Sequence, residues 1–247
     1  MNNLKKVMAN HRSIRKFKDE SINEKLLTDI LETSQWASTS NNLQAYSVII
    51  VKDQEKKEAL AAFSGNQQHV IDCPVFLVFC ADLYRVNLSN KLENIQGNLD
   101  TIEPFIVATV DTSLYAQNVM LAAETLGLGG VFIGGIRNSP VEVSNLLGLP
   151  EYVYPVFGMC LGYPDQNHIN EQKPRLPLEA VVHQEMYEGD KQIEMIRTYN
   201  NLMKEYYETR KSGKRNQTWT QSVADLYKTP KRIHLREFLE SKNFGFK

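Results

Sequence analysis

The stretch Pro74-Val-Phe-Leu-Val-Phe-Cys-Ala81 carries no charged or amide side chain. It is short, rich in β-branched and aromatic residues, and reads as an inner strand covered on both faces. Working upstream, Gln54–Phe63 suits a helix with Ala59, Leu60 and Phe63 on its apolar face, and Ser47–Val51 reads as another strand. Ser21-Ile-Asn-Glu24 has the spacing of a capping box, and Leu26, Leu27, Ile30 and Leu31 follow at helical spacing, which predicts a helix over 23–36. The run Ser38-Thr-Ser-Asn-Asn42 stops it, because these side chains compete for backbone groups. A short opening helix ends in the cationic turn His11-Arg-Ser-Ile-Arg15.

Downstream, residues 84–104 are polar and weakly periodic and read as a surface excursion. Leu114, Tyr115, Val119, Leu121, Ala122 and Leu126 predict a largely buried helix over 111–126, ended by Gly127. Gly129–Gly135 (GGVFIGG) reads as a short strand, residues 140–147 as a helix with Pro140 in its first turn, and residues 153–161 as a strand. Residues 192–210 are helical, 213–220 a basic loop, and 226–242 end in one more helix. Interleaved strands and helices up to about residue 162 suggest, taken alone, a parallel sheet. The C-terminal arm is long for one compact domain, which hints that it wraps a partner subunit.

The 247 residues are 42% hydrophobic, enough apolar material for a large core. With 28 Lys+Arg against 29 Asp+Glu the net charge is −1, without the basic excess of a dedicated nucleic-acid binder. The longest apolar runs fall far short of the roughly 18 residues that cross a bilayer, and the N-terminus has no apolar signal core. Cys73, Cys80 and Cys160 lie in or beside apolar runs with no CxxC pair, so reduced, buried thiols in a cytoplasmic protein are expected. No repeat of 20–50 residues is visible.

Three groups could carry chemistry. His11, Arg12, Ser13 and Arg15 place two guanidiniums, an imidazole and a hydroxyl in one turn, suited to phosphate or carboxylate, although a solvated basic turn reads as well. Lys173-Pro-Arg175-Leu-Pro177 is a stiffened extended segment whose two cations point the same way. Two such segments in a neutral protein favour a shared anionic ligand. GGVFIGG lets backbone approach a flat ligand, but it is neither a dinucleotide fingerprint nor a phosphate loop. No G-x-S-x-G occurs and no metal constellation is seen, so difficult chemistry falls to a bound organic cofactor.

HRSIRKF (11–17), the loop 38–44, SGNQQHV (64–70), LGLGGVFIGGIRN (126–138), FGMCLGYP (157–164), KPRLP (173–177) and TRKSGKRNQTW (209–219) stand in the order found in nitroreductase-like flavoproteins. Over essentially the whole chain the sequence is similar to their NADPH-dependent flavin reductase and oxygen-insensitive nitroreductase branch. The resemblance implies an α+β fold with a mainly antiparallel central sheet flanked by helices, built as a single FMN-binding domain over residues 1–247. It also implies a homodimer whose C-terminal arms, residues 178–247, embrace the other subunit.

By the same resemblance, His11, Arg12, Ser13 and Arg15 form the N-terminal FMN segment, and Lys173 and Arg175 the second phosphate pair. Gln67 meets the flavin ring, and Phe132, Ile133, Gly134 and Gly135 border it. Ser38, Thr39 and Ser40 reach the cofactor from the other subunit. Arg210 and Arg215 match residues that hold the NADPH 2′-phosphate, with Asn216 where a third arginine occurs in relatives. Asn41 and Asn42 replace residues that bear on substrate stacking. The implied activity is ping-pong, two-electron hydride transfer from NADPH, or NADH, to a small flat electrophile such as a nitroaromatic, a quinone or free flavin. Arg15 is the electrostatic stabiliser, and no side chain acts as nucleophile. The rival readings are a non-catalytic FMN-binding regulatory module, and a dehalogenase or dehydrogenase on the same scaffold.

Overall fold

A computed structural model describes residues 3–210 and 213–246. Met1 and Asn2, Lys211 and Ser212 of the fragment at 209–219, and Lys247 of the arm lie outside the described residues. In chain order the elements are α1 (Asn3–Ala9), α2 (Glu24–Ser34), β1 (Tyr46–Val51), α3 (Gln54–Phe63), α4 (Gln68–Asp72), β2 (Val75–Asp82), α5 (Tyr84–Leu92) and α6 (Ile102–Thr125). There follow β3 (Gly129–Ile133), α7 (Pro140–Leu147), β4 (Val153–Gly162), α8 (Gln192–Thr209), α9 (Trp219–Tyr227) and α10 (Leu235–Ser241). The chain divides into two compact units, Met1–Ile169 with Arg232–Lys247, and Asn170–Lys231.

The four strands form one sheet in the order β1-β2-β4-β3, and every pairing is antiparallel. The parallel arrangement suggested by interleaving is therefore corrected. Periodicity reports how a strand is buried, not its direction, and α3 with α4 returns the chain beside β1 running the opposite way. β2 is buried along its whole length because its alternate residues serve two cores. Val75, Leu77 and Phe79 pack with Leu27 and Ile30 of α2 and Tyr115, Val119 and Met120 of α6. Phe76, Val78 and Cys80 pack with Leu60 of α3, Val143 of α7, Val131 and Cys160.

Several boundaries differ from the sequence reading. The cap of α2 is Asn23 rather than Ser21: its side-chain oxygen accepts from the N–H groups of Lys25 (2.9 Å) and Leu26 (3.3 Å). Helix α6 begins at Ile102, since Pro104 falls in the first turn, where no N–H partner is needed. Residues 84–92 of the excursion are helical, started by Asp82, whose carboxylate accepts from the N–H of Tyr84 at 2.9 Å. Thr218 and Gln221 make a capping box for α9, so the basic loop ends two residues early. The last helix is only Leu235–Ser241, and its Phe238 and Leu239 pack with Phe244, Tyr154 and Val156 in the first unit. No described helix is long and apolar enough to cross a membrane.

Candidate functional site

In the first unit, the turn after α1 is fastened along the open edge of the sheet. The N–H of Ile14 donates to the Gly130 carbonyl of β3 at 2.9 Å, and the N–H of Lys18 donates to the Tyr163 carbonyl at 2.9 Å. A side chain at Gly129 would collide with Ile14, its Cβ lying 2.6 Å from Cγ1, so glycine is what admits this segment. Ile14 is buried, and the adjacent Ser13 and Arg15 are exposed, as alternation along an extended segment requires.

The ionisable groups here divide sharply. His11 Nδ1 lies 2.6 Å from Glu124 Oε1, and Lys16 pairs with Asp72 at 3.6 Å. Arg12 donates through Nε to the Asn10 carbonyl (3.2 Å), and neither Arg12 nor Arg15 has a carboxylate partner among the described residues. Arg12 faces a groove of about 540 Å³ that Asn10, Glu124, Gly129 and Ile169 also line. A different recess of about 800 Å³ beside Arg85 is a poor anion site. There the guanidinium is already engaged by Asp82, Ser47 and the carbonyls of Gln44 and Tyr46.

At the end of β3, Gly135 abuts the loop before α4. A Cβ there would lie 2.4 Å from the Ser64 carbonyl and 2.6 Å from Gln67 Nε2. Gln67 Nε2 donates to that same carbonyl at 2.8 Å, so the structure brings Gln67 and Gly135 together. Two buried polar atoms in this neighbourhood, Ser64 Oγ and His69 Nε2, have no hydrogen-bond partner among the described residues. Burial, then the charge of Arg15, holds the His69 imidazole below its ordinary pKa and keeps it neutral. The field of Arg15 thus reaches this loop. Phe132 is exposed and meets Phe157 edge-to-face at 5.2 Å. Ile133 is buried in the core, leaving only its backbone for a ligand, and Gly134 opens a 3-10 turn.

Ser38, Thr39 and Ser40 lie elsewhere in the unit and share no hydrogen bond with residues 12–15 among the described residues. Their loop is shaped by Asp111 of α6, a carboxylate only 1% exposed. It accepts from the N–H of Ser40 at 3.0 Å and of Ala45 at 3.1 Å. Asn41, Asn42 and Gln44 all adopt positive φ, which for non-glycine residues is uncommon and needs such anchoring.

In the second unit, α8 presents tyrosines to the segment that carries Lys173 and Arg175. Tyr199 Oη donates to the Pro174 carbonyl at 2.9 Å and Tyr206 Oη to the Glu171 carbonyl at 3.3 Å. Burial raises the Tyr199 pKa, so its hydroxyl stays a donor. Arg175 donates to the Lys173 carbonyl at 3.1 Å. The Arg210 and Arg215 guanidiniums lie 5.5 Å and 3.9 Å from the ring centroid of Tyr207.

Sequence reasoning passed over Glu124, His69, Asp111 and these tyrosines. The only signals were an acid in an apolar helix face, a histidine two residues beyond Gln67, and tyrosines at helical spacing. Arginines without carboxylate partners, adjacent amide and imidazole groups and an exposed aromatic suit an anionic ligand with a flat, hydrogen-bonding ring.

An antiparallel α+β sheet layered with helices, edged by a cationic turn with uncompensated charge, defines a ligand-binding α+β protein. The Nitroreductase family model matches residues 8–163 and the Nitroreductase family, C-terminal domain model matches residues 173–247. The chain belongs to the nitroreductase family. It is 43% identical over 245 residues to the NADPH-flavin oxidoreductase of Vibrio harveyi, covering 99% of each chain. It is 40% identical over 249 residues to FMN reductase (NADPH) of Bacillus subtilis (strain 168), again covering 99% of each. The solved structure of B. megaterium NfrA2 superposes with a TM-score of 0.95 at 39% identity, covering 100% of both chains.

Proposed function

We propose that this chain is an FMN-dependent NADPH oxidoreductase that reduces nitroaromatics, quinones or free flavins, working as a homodimer in the cytoplasm. The observation that carries the reading is the pair of guanidiniums, Arg12 and Arg15, left without carboxylates among the described residues while His11 and Lys16 beside them are paired. Reductase names on full-length relatives support it, and none of those relatives is named as a non-catalytic module.

FMN, when bound, supplies a hydride acceptor and donor in one ring. Arg12 and Arg15 in the first unit, and Lys173 and Arg175 in the second, are the phosphate-binding and electrostatic groups. Arg15 would supply positive charge to stabilise the reduced form of bound FMN. Gln67, the Gly134–Gly135 backbone and neutral His69 offer hydrogen bonds to ring heteroatoms. Phe132 gives an apolar border that excludes water. Ser13 adds a hydroxyl donor beside the guanidiniums, and His11 is held in orientation by Glu124. Ser38–Ser40 contribute from a second copy of the chain. Arg210 and Arg215 hold the NADPH 2′-phosphate.

The second copy has a face to occupy. Ile102, Ile106, Val110 and Leu114 recur every fourth residue along α6 and are each 43–48% exposed. Purified protein is expected to be yellow, to bleach on anaerobic addition of NADPH, and to sediment as a dimer. Colourless protein that does not take up FMN defeats the proposal.

A further inference from the structure

Tyr207 sits in the second unit at the last turn of α8, 2% exposed, with three cations around one ring. Lys173 Nζ lies 5.9 Å from the ring centroid, the Arg210 guanidinium 5.5 Å and the Arg215 guanidinium 3.9 Å. Arg215 is attached twice. Its Nη2 donates to the Tyr207 hydroxyl, and its backbone N–H donates to the Tyr207 carbonyl at 3.3 Å. Burial pushes the phenol pKa up, but the Arg215 hydrogen bond and the Lys173 charge together bring it below its ordinary value. A phenylalanine would serve to fill this space. A buried hydroxyl that accepts from a guanidinium is a choice of chemistry, and it fixes the direction in which that guanidinium presents its other donors.

The geometry points to Tyr207 as the positioning residue that orients Arg215 for the phosphate of the pyridine nucleotide. This inference rests on the reading of Arg215 as the 2′-phosphate ligand. NADPH and NADH differ by one phosphate monoester, so a group acting through Arg215 affects one donor and spares the other. A merely structural role in the α8 core, shared with Tyr199, Met203 and Trp219, affects both alike.

The test uses holoenzyme carrying Tyr207→Phe, Tyr207→Leu, Arg215→Ala, or Tyr207→Phe with Arg215→Ala. Steady-state KM and kcat are measured with NADPH and with NADH, and FMN affinity by fluorescence titration. Losing the hydroxyl alone is expected to raise KM for NADPH about fivefold to tenfold, with kcat, KM for NADH and FMN affinity moving by less than about twofold. Tyr207→Leu, which also removes the ring beneath Lys173, is expected to weaken FMN binding by a few-fold. The double variant is expected to match Arg215→Ala alone, since the hydroxyl then has nothing to orient. If Arg215→Ala raises KM for NADPH and Tyr207→Phe does not, the inference about Tyr207 is overturned while the nucleotide reading stands. If Arg215→Ala leaves the NADPH-to-NADH ratio of KM unchanged, the reading of Arg215 fails and the inference falls with it.

Discussion

The two cationic segments are held in place by different means. Residues 11–18 are fastened by main-chain hydrogen bonds to Gly130 and Tyr163, which any sequence could make provided Gly129 leaves room. The segment bearing Lys173 and Arg175 hangs instead from the hydroxyls of Tyr199 and Tyr206, which only tyrosine supplies there. A strap tied by backbone keeps its shape when side chains change, and one tied by phenols does not. In the first segment, then, substitutions act on charge, and in the second they act on placement.

The sharpest break of this contrast is Arg15→Ala. It removes an uncompensated charge while the strap stays tied through Ile14, so FMN retention is expected to fall about thirtyfold to a hundredfold, read by fluorescence titration, with Tm unaltered in the apoprotein. An unchanged dissociation constant would remove Arg15 from the cofactor site. Next in size, Tyr199→Phe keeps ring packing and deletes one tie. FMN affinity is expected to drop about fivefold although no ligand contact is touched, and Tm to fall with a loss of about 1 kcal/mol.

His69 sharpens the picture through pH. Burial, then Arg15, keeps its folded-state pKa below the unfolded value of about 6.5. Its neutral form is therefore matched to the fold above that value, and stability declines as pH falls below it, because the unfolded chain takes the proton first. Thermal denaturation across this range should show a shallower slope for His69→Phe than for the parent. The smallest effect is expected from Asp72→Asn. Its partner Lys16 is exposed, so the loss should be under about 1 kcal/mol by denaturant titration, and FMN affinity should not move.

The sequence displayed its charges more readily than their supports. The apolar run at 74–81 announces an inner strand, because burial on both faces leaves no polar alternation. It says nothing of strand direction, and interleaved helices mislead on that point. Arg12, Arg15, Lys173 and Arg175 stand out as cations in a chain of balanced charge. The neighbouring His11 and Lys16 are instead paired with Glu124 and Asp72, 113 and 56 residues away in sequence and far beyond any local pattern. Tyr199, Tyr206 and Tyr207 look from spacing alone like ordinary core residues, and only their hydroxyl partners tell otherwise. Pro104 reads as a helix breaker until its place in a first turn is known, and for that reason the exposed stripe that starts at Ile102 escapes a linear reading.

That long helix has two trades. Its outward side carries Ile106, Val110 and Leu114, while Asp111, between them in sequence, grips the Ser40 and Ala45 amides from the inward side. The helix that turns an apolar stripe outward is thus also the clasp that closes the serine loop, one element answering for both faces.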